Sequence, residues 1–441
     1  MSTHAPIRHR SGLLFACALS VLTATSLASA ATLCVQKQGL FGCQKTISAA
    51  VSAAAPGDVV YVWPGTYKEQ VTIAQSLSLV AASGSHTVID ATGLPNGIFI
   101  DGRAGAPAAG VSNVVVSGFD IRNANFEGIL VVNGSNVTLT DNHVHGNNQS
   151  LDITAAACPG IPAFETNEGE DCGEGIHLMG ADHATVRNNE SDHNSGGILI
   201  SDETGPSQNN LITGNQVHDN PFDCGITMAS HGPATSLIPT ARVSYGVWNN
   251  TISHNASFRN GTQLPGAGAG VGIFAPFPGT AASGNTVIDN DIYNNGLPGV
   301  TMHNHASAPA PAPPINLNNN SIIGNHISGN AADTEDAATS GPTGINLYST
   351  APVTGTVISG NDIDNEAIAI AYNVPSGQLN VHFNDFPRSI AIDNIGAGTV
   401  DATENWWNCA SGPGSGRCAS VTGSGVTTAP WLFDPPSGDS H

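Results

Sequence analysis

The sequence predicts an all-β protein whose chain winds into a single-stranded right-handed parallel β-helix, a solenoid with a short N-terminal capping helix. Two observations favour this fold class. An Asn-rich turn unit recurs along the chain and is followed by a short strand that begins Gly-Ile or Gly-Val, as at Gly175-Ile176 and Gly225-Ile226. In addition, roughly 410 mature residues exceed what one hydrophobic core supports, so the chain must form several domains or a repeat.

The repeat unit has an Asn at each end of a short turn, with an often apolar residue between. A coil of roughly 22 residues makes one turn of three short strands, which pair in parallel with the next coil at about 4.8 Å. Inward Ile and Val residues then stack, and an Asn repeated at one bend passes hydrogen bonds from coil to coil. We expect roughly 10 to 12 coils. The copies are Asn142–Asn147, Asn215–Asn220, Asn290–Asn295, Asn325–Asn330 and the degenerate Asn361–Asn365.

Residues 1–30 are predicted to be an export signal. The segment has a basic start, an apolar run from Leu13 to Leu27 and a cleavage site of the A-x-A type at Ala28-Ser29-Ala30. The apolar run is too short and too interrupted by Ser and Thr to span a bilayer, and no other stretch comes close. We therefore expect a secreted or periplasmic protein.

The rest of the chain is predicted to contain a cap and one long solenoid. Residues 31–58 form the cap, where Ile47 and Val51 fall on one face of a helix. Such a helix covers the open end of a stack of coils. Residues 59–437 form the β-helix, and residues 438–441 form a tail.

The chain is strongly acidic, with a formal net charge of -22. This charge argues against nucleic acid and anionic membrane as partners. It also counts against unaided binding of an acidic polysaccharide. We expect a monomer.

The cysteines of the mature chain form three close pairs and one single residue. The pairs Cys34/Cys43, Cys158/Cys172 and Cys409/Cys418 are predicted to be local disulfides, as expected in an exported protein. Cys224 lies beside a core strand, where burial as a small hydrophobic residue is favoured over a catalytic thiol.

Several segments resemble a known family. Val59-Val60-Tyr61-Val62-Trp63-Pro64-Gly65-Thr66-Tyr67 is similar to the opening of many pectin-lyase-like proteins, and Asn405-Trp406-Trp407 resembles their closing coil. The Asn-bend and Gly-strand units resemble the parallel β-helix repeats of NosD-type and carbohydrate-active families. The resemblance implies the fold but no particular reaction, because this scaffold carries lyases, hydrolases, esterases, epimerases and proteins without catalysis.

Polar residues are expected to gather on the outer face of one sheet. Aligning Ile226, Ile273 and Val300 as inward residues predicts that Phe274 lies beside Thr227 and Thr301 on the outer face. The insertion at residues 151–173 is expected to form one wall of a groove there. The resemblance implies a polysaccharide cleft at the same place.

We predict that the side chains nearest the chemistry are Asp202, Glu203, Asp223 and His231. These types supply paired carboxylates and a base. Capped turns are the alternative interpretation for the carboxylates, and a bend hydrogen bond for His231. The predicted substrate-binding residues are Glu174, His177, Ser201, Thr227, Phe274, His303, His305 and Tyr348.

Several functions fit these residues. A glycoside hydrolase needs two carboxylates that flank the bond. A lyase or epimerase needs a base, such as His231 or His303, and neutralisation of the substrate carboxylate. Few Arg and Lys residues lie in the central coils, so a lyase here is expected to need Ca²⁺. His303 and His305 with Asp202, Glu203 or Asp223 are an alternative set of metal ligands, and the sequence leaves the metal open.

A non-catalytic role remains the alternative to a polysaccharide-acting enzyme. A secreted glycan-binding or adhesin-like β-helix would present a stripe of exposed aromatic residues and no converging acid and base. Aromatic residues make up only 5% of the chain, which disfavours this role. A NosD-type role in assembling a copper site has little support, because Met and Cys do not cluster.

Overall fold

Parallel strands that pair from coil to coil build the protein. The computed structural model describes residues 1–2, 30–82, 86–103, 110–155, 157–165, 172–231, 244–263, 268–308, 310–334, 339–414 and 417–436. The predicted export signal therefore lies almost wholly outside the described residues, and the predicted tail, residues 438–441, lies wholly outside them. Among the described residues, no helix has the length and apolarity needed to cross a membrane.

Within the described parts of the chain, the strands form three long sheets, here called sheets A, B and C, in which every pairing is parallel. Sheet A contains 14 strands: Thr32–Val35, Val59–Val62, Leu77–Ala81, Val114–Ser117, Thr138–Thr140, Thr185–Arg187, Leu211–Thr213, Thr251–Ser253, Thr286–Ile288, Ser321–Ile323, Val357–Ser359, Gln378–His382, Thr399–Asp401 and Val426–Thr427. Sheet B contains 10: Gly65–Tyr67, Thr87–Asp90, Asp120–Arg122, His143–His145, Glu190–Asp192, Gln216–His218, Ala256–Phe258, Asp291–Tyr293, His326–Ser328 and Asp362–Asp364.

Sheet C carries the residues that the sequence analysis singled out. It contains 12 strands: Val71–Ile73, Ile98–Asp101, Ile129–Val132, Ile176–Met179, Ile198–Ser201, Ile226–Ala229, Val271–Phe274, Val300–His303, Thr343–Tyr348, Ile368–Asn373, Ile390–Asn394 and Ser420–Gly423. Two small sheets lie beside the long ones. They pair Val111–Ser112 with Gly134–Ser135, and Ser207–Gln208 with Val247–Trp248 and Ala282–Ser283.

The core is a set of aliphatic stacks inside the coils. In sheet C, Ile129, Ile176, Ile198 and Ile226 occupy one register position on consecutive coils, and all four are fully buried. Each such side chain contributes about 1.5–3 kcal/mol relative to an exposed one. The predicted solenoid fold is confirmed.

The N-terminal end is covered by the helix Ile47–Ala53, whose Ile47, Ala50 and Val51 are buried. The predicted short helix is therefore present. Its first backbone amides are satisfied from another segment, because the Glu69 carboxylate accepts hydrogen bonds from the Ile47 and Ser48 amides at 2.9 and 2.8 Å. A short 3-10 turn, Leu40–Gly42, precedes the helix.

One feature of the cap was not predicted. The strand Thr32–Val35 lies before the helix and pairs in parallel with Val59–Val62. The Val59 amide donates to the Ala31 carbonyl at 2.8 Å, and the Trp63 amide donates to the Val35 carbonyl at 2.9 Å. This strand pairs backbone groups that would otherwise be exposed at the edge of sheet A.

Among the residues that the structure describes, three continuous Asn ladders run along the bends, as the repeat predicts. In each ladder, one Asn side-chain oxygen accepts both the backbone amide and the side-chain amide of the preceding rung. The ladders are Asn142, Asn189, Asn215, Asn255, Asn290, Asn325, Asn361, Asn384 and Asn405; Asn147, Asn194, Asn220, Asn260, Asn295 and Asn330; and Asn210, Asn250, Asn285 and Asn320.

The second ladder ends on a carboxyl group. Glu366 Oε1 accepts the Asn330 backbone amide at 2.9 Å and its side-chain amide at 3.0 Å. Burial raises the pKa of Glu366 to about 7, and the Asp364 carboxylate adds to the rise although the Asn330 bonds oppose it. The last rung therefore titrates near neutral pH.

We expect Glu366→Gln to stabilise the protein at pH 8 by about 2 kcal/mol. The folded-state pKa lies above the usual value, so stability is fully present below about pH 4.5 and is lost as pH rises through about 7. The glutamine keeps the acceptor for Asn330 without the charge. Denaturant unfolding at pH 4.5 and pH 8 measures this, and equal pH dependence of wild type and variant would contradict it.

The predicted disulfides Cys34–Cys43, Cys158–Cys172 and Cys409–Cys418 are all present. Cys224 is a free, buried cysteine that packs with Ala269 and Leu297. Burial raises the pKa of its thiol well above the usual value, and the Asp223 carboxylate adds to the rise. A neutral thiol of this kind is a poor nucleophile, in agreement with its predicted packing role.

Candidate active site

The outer face of sheet C has a register that differs from the prediction at one coil. Ile226 pairs with Val271, and Val271 pairs with Val300, so the predicted alignment of Ile273 with Ile226 and Val300 is wrong. Phe274 therefore lies opposite Ala229 and His303 and not beside Thr227.

The physical reason is a choice between two glycines in Gly270-Val271-Gly272-Ile273. A Cβ atom at Gly270 would lie 2.7 Å from the Gly299 carbonyl oxygen and 2.2 Å from Ile292 Cγ2, so this bend accepts only glycine. Gly272 is an outward strand residue whose added Cβ would meet the Phe274 ring at 2.4 Å. Both glycines fit the Gly-strand motif in the sequence, and only the packing of neighbouring coils distinguishes them.

Four predicted residues meet in one buried polar chain. His177 Nε2 and Ser201 Oγ are 2.7 Å apart, and the Ser201 hydroxyl donates to Glu203 Oε2. Glu203 Oε1 lies 3.1 Å from His231 Nδ1. Glu127, which the sequence analysis missed, extends the chain, because its Oε1 lies 3.5 Å from His177 Nδ1.

The solenoid explains why these side chains meet. His177 and Ser201 are outward residues of neighbouring strands, with His177 opposite Leu199 and Met179 opposite Ser201. Glu203 and His231 each lie two residues beyond the last residue of paired strands, Ser201 and Ala229. The same bend position on adjacent coils therefore brings a carboxylate and an imidazole together.

Glu165 is the second carboxyl group that the sequence analysis missed. Burial raises the pKa of Glu165 well above its usual value, and the Glu127 and Glu203 carboxylates add to the rise, while Arg103 opposes it. Among the described residues, no group lies within hydrogen-bonding distance of its carboxyl oxygens. Glu165 is therefore a buried acid that holds its proton at higher pH than an exposed glutamate.

Glu203 shows the opposite behaviour. Burial opposes its ionisation, but the hydrogen bond and charge of His231, with the charge of His177 and the Ser201 hydroxyl, lower its pKa below the usual value. Two carboxyl groups that influence each other thus have pKa values moved in opposite directions. This is the arrangement of an acid and a base within one site.

The segment that carries Glu165 is held against the outer face of sheet C. Phe164 stacks on Phe99, with ring centroids 6.4 Å apart, and packs over a cluster that includes Leu130 and Met179. Arg103 lies over the Phe164 ring at 3.8 Å and donates to Asp101 through two nitrogens, each at 2.8 Å. The part of the predicted wall that the structure describes therefore brings an acid to the site.

One sequence signal could have identified Glu127. It precedes Gly128-Ile129 as Glu174 precedes Gly175-Ile176, and the two strands are in register. The Glu174 carboxyl group occupies space over Gly196, where an added Cβ would lie 2.4 Å from Glu174 Oε2. No comparable signal marks Glu165, because it lies in an insertion outside the repeat.

Asp202 has protein partners in the next coil. Its Oδ2 accepts the Ser230 hydroxyl at 3.1 Å and the Gly246 backbone amide. The carboxylate is fully buried. These contacts connect neighbouring coils.

The remaining predicted residues lie in two groups on later coils. Thr227 and Asp223 are buried, and both lie within three residues of the buried Cys224. The ring centroids of Phe274 and His303 are 4.5 Å apart, and those of His303 and His305 are 4.8 Å apart.

His303 is buried, and burial together with the charge of His305 lowers the pKa of His303 to about 3. Its imidazole is therefore neutral at physiological pH. Tyr348 lies at the end of the next strand, Thr343–Tyr348, and is half-buried.

The side chains with metal-ligand spacing lie elsewhere. Two groups of three converging His, Asp and Glu ligands occur among the described residues, and both are on sheet B.

Comparison with known proteins agrees with this architecture. Residues 79–262 match the family described as the right handed beta helix region. No curated protein matches the chain by sequence.

Solved structures with the same fold include three enzymes. An alginate lyase from Paenibacillus sp. str. FPU-7 has a TM-score of 0.51 at 12% identity, over 76% of this chain and 95% of its own. DFA-IIIase from Arthrobacter chlorophenolicus A6 has a TM-score of 0.51 at 16% identity, over 91% of this chain and 99% of its own. The catalytic unit of an alpha-1,3-glucanase from Streptomyces thermodiastaticus strain HF3-3 has a TM-score of 0.50 at 14% identity, over 88% of this chain and 66% of its own.

The fold defines the class of protein. The chain has the right-handed parallel β-helix fold. A NosD-type relation stays a prediction.

Proposed function

We propose that this protein is a secreted glycoside hydrolase that acts on a neutral glycan, with Glu165 as general acid and Glu203 as the ionised carboxylate. One arrangement carries the proposal: Glu203 is hydrogen-bonded to the Ser201 hydroxyl and to His231 within a buried polar chain that Glu127 extends. The raised pKa of Glu165 and the lowered pKa of Glu203 agree with it. Glycosidases need one protonated and one ionised carboxyl group beside the bond that breaks.

The surrounding residues support these roles. The Ser201 hydroxyl and His231 hold Glu203 in its ionised form and fix its orientation. The Glu127 and Glu203 carboxylates help Glu165 keep its proton. In this proposal Asp202 and Asp223 have no part in the chemistry.

Charge favours a neutral substrate. The site holds the carboxyl groups of Glu127, Glu165 and Glu203, and the first and last raise the pKa of Glu165. The nearby Arg103 is already paired with Asp101 through two hydrogen bonds. A uronate would therefore meet repulsion here. The solved structures of the same fold include an alpha-1,3-glucanase and an alginate lyase, which supports a glycan as substrate class.

Product analysis tests the proposal. Purified protein is incubated with neutral and acidic polysaccharides and their short oligosaccharides, with calcium or with chelator. Short substrates are included because the carboxyl groups are buried. Reducing ends and the ultraviolet absorbance of unsaturated uronates are followed together.

We expect new reducing ends from a neutral glycan without absorbance, in calcium and in chelator alike. The Glu165→Gln/Glu203→Gln double variant should form no product. Glu366→Gln, which changes a buried carboxyl group on a distant coil, should retain activity. Calcium-dependent absorbance would indicate that the reaction is elimination and not hydrolysis. Binding without product would favour a glycan-binding protein.

A second candidate is acyl transfer, as in removal of an ester group from a glycan. His177 lies between Ser201 and Glu127, which is the order of a nucleophile, its base and the group that orients the base. The Ser201 proton, however, is donated to Glu203 and not to His177, which favours hydrolysis. Acetate release from acetylated glycans that is lost in Ser201→Ala, without glycosidic cleavage by wild type, would favour the acyl-transfer role.

A further inference from the structure

The outer face of sheet B carries a second cluster of functional side chains. The strands Asp120–Arg122, His143–His145 and Glu190–Asp192 are consecutive neighbours in this sheet. Asp120, His143 and Glu190 share one register position, and Arg122, His145 and Asp192 share another. The middle residues of the strands, Ile121, Val144 and Ser191, are buried. The flanking side chains therefore point outward together.

The outward side chains converge on two overlapping sets of possible ligands. One set is Asp120, His143 and His145, and the other is His143, Glu190 and Asp192. In each set the ligand atoms lie within 4.8 Å of one another. His143 is common to both, so the two sets form one continuous cluster across three coils.

Individual contacts show how closely the groups approach. His145 Nε2 is 3.3 Å from Asp120 Oδ1, and His143 Nε2 is 2.6 Å from Asp192 Oδ1. The two imidazole rings stack with centroids 4.2 Å apart and planes at 18°. Each histidine therefore directs a ring nitrogen at a carboxylate oxygen, where a divalent ion could replace the shared proton.

The donor set selects the class of ion. Imidazole nitrogen and carboxylate oxygen together suit Zn²⁺ and similar transition metals, whereas Ca²⁺ takes six to eight oxygen ligands. Histidines two residues apart on a strand project from the same face, so both can bind one ion. Zn²⁺ binds nitrogen and oxygen at about 2.0–2.2 Å, so the ligand atoms would move closer together by rotation of the side chains, of which Asp120, His143 and His145 are partly exposed.

We propose that His143, His145 and Asp120 bind a Zn²⁺-class transition-metal ion, with Asp192 as a fourth ligand. The ion would connect three successive coils through side chains of sheet B. The candidate active site lies on sheet C, so this metal site is independent of the proposed hydrolysis. Its effect is on stability, because an ion that binds only the folded chain shifts unfolding in favour of the native state.

Zinc titration tests the site directly. The protein, with any affinity tag removed and after chelator treatment, is titrated with ZnCl₂ by calorimetry and with CaCl₂ for comparison. We expect one Zn²⁺ per chain and a higher melting temperature with zinc than with calcium. His143→Gln should weaken zinc binding by about tenfold or more, because it removes the ligand common to both sets.

The matched control is His326→Gln. His326 lies on the same sheet and contacts Asp291 at 2.8 Å, but it belongs to neither converging set. This variant should bind zinc as wild type does.

Co²⁺ gives a second readout that does not depend on stability. We expect a visible absorption band for wild type and His326→Gln that is lost in His143→Gln. Circular dichroism confirms that His143→Gln is folded. Equal zinc binding by wild type and folded His143→Gln, or no zinc binding by wild type, would overturn the proposal.

Discussion

Glu203→Gln is expected to lower kcat on the glycan that the wild-type protein hydrolyses by about a thousandfold or more. The reason is that glutamine cannot act as nucleophile or base, although it fills the same space between Ser201 and His231. Steady-state kinetics measure the loss, and circular dichroism checks the fold.

The role of Glu165 is separable from that of Glu203 by choice of substrate. A general acid matters most for a poor leaving group. Glu165→Gln should therefore be severely impaired on the natural glycan but retain much of its activity on an aryl glycoside with an acidic leaving group. Glu203→Gln should be inactive on both. Equal losses for the two variants on both substrates would contradict this assignment.

The roles assigned to Glu165 and Glu203 also predict how activity depends on pH. Activity requires Glu203 ionised and Glu165 protonated. The pKa of Glu203 is lowered, so activity is lost on the acid side only below the usual range of a glutamate. The pKa of Glu165 is raised, so activity persists well above that range and is lost as pH rises through it. In Glu165→Gln the alkaline loss should disappear from the residual activity on the aryl glycoside.

Asn255→Ala is expected to reduce the free energy of unfolding by about 3 to 5 kcal/mol. Asn255 Oδ1 accepts the backbone and side-chain amides of Asn215, both at 2.9 Å. Its own amide donates to the Ile212 carbonyl at 3.0 Å and to Asn290 Oδ1 at 2.9 Å. Alanine removes all four hydrogen bonds and leaves the buried Asn215 backbone amide without this acceptor, which is costly. Asn290 Oδ1 keeps the Asn255 backbone amide, and the Asn215 side chain keeps the Val186 carbonyl.

Asn380→Ala is the control for this prediction. Asn380 is half-buried, and its side-chain oxygen accepts one hydrogen bond, from Gln378 at 3.3 Å. We expect its loss to change stability by less than about 1 kcal/mol. Denaturant unfolding of both variants measures the difference. Similar small effects would show that the ladder contributes little to stability.

The sequence alone predicted the solenoid because the repeat imposes its own geometry. A fixed period places Asn215, Asn255 and Asn290 at the same bend, and three hydrogen-bonded ladders follow. Ile176, Ile198 and Ile226 stack for the same reason. Short spacing in the chain was sufficient to predict the disulfides, because the partners are separated by only 9 or 14 residues in the sequence.

Part of the candidate site was also accessible from the sequence. His177, Ser201, Glu203 and His231 lie at strand ends of adjacent coils, where the register argument holds. The register argument failed at Phe274, because Gly270 and Gly272 both fit the Gly-strand motif. Only contacts with the next coil place Gly270 at the bend before the strand.

The tertiary structure decided what the repeat does not encode. Glu165 lies in an insertion, so no period predicts that it joins Glu127 and Glu203, and its pKa depends on burial that sequence does not record. The histidines of sheet B are similar, because His143 meets Asp192 only when coils with an insertion between them stack. The sequence by itself determined the repeating backbone, whose contacts follow from a period. The grouping of the acids and metal ligands required the folded chain, because insertions bring together residues that no period relates.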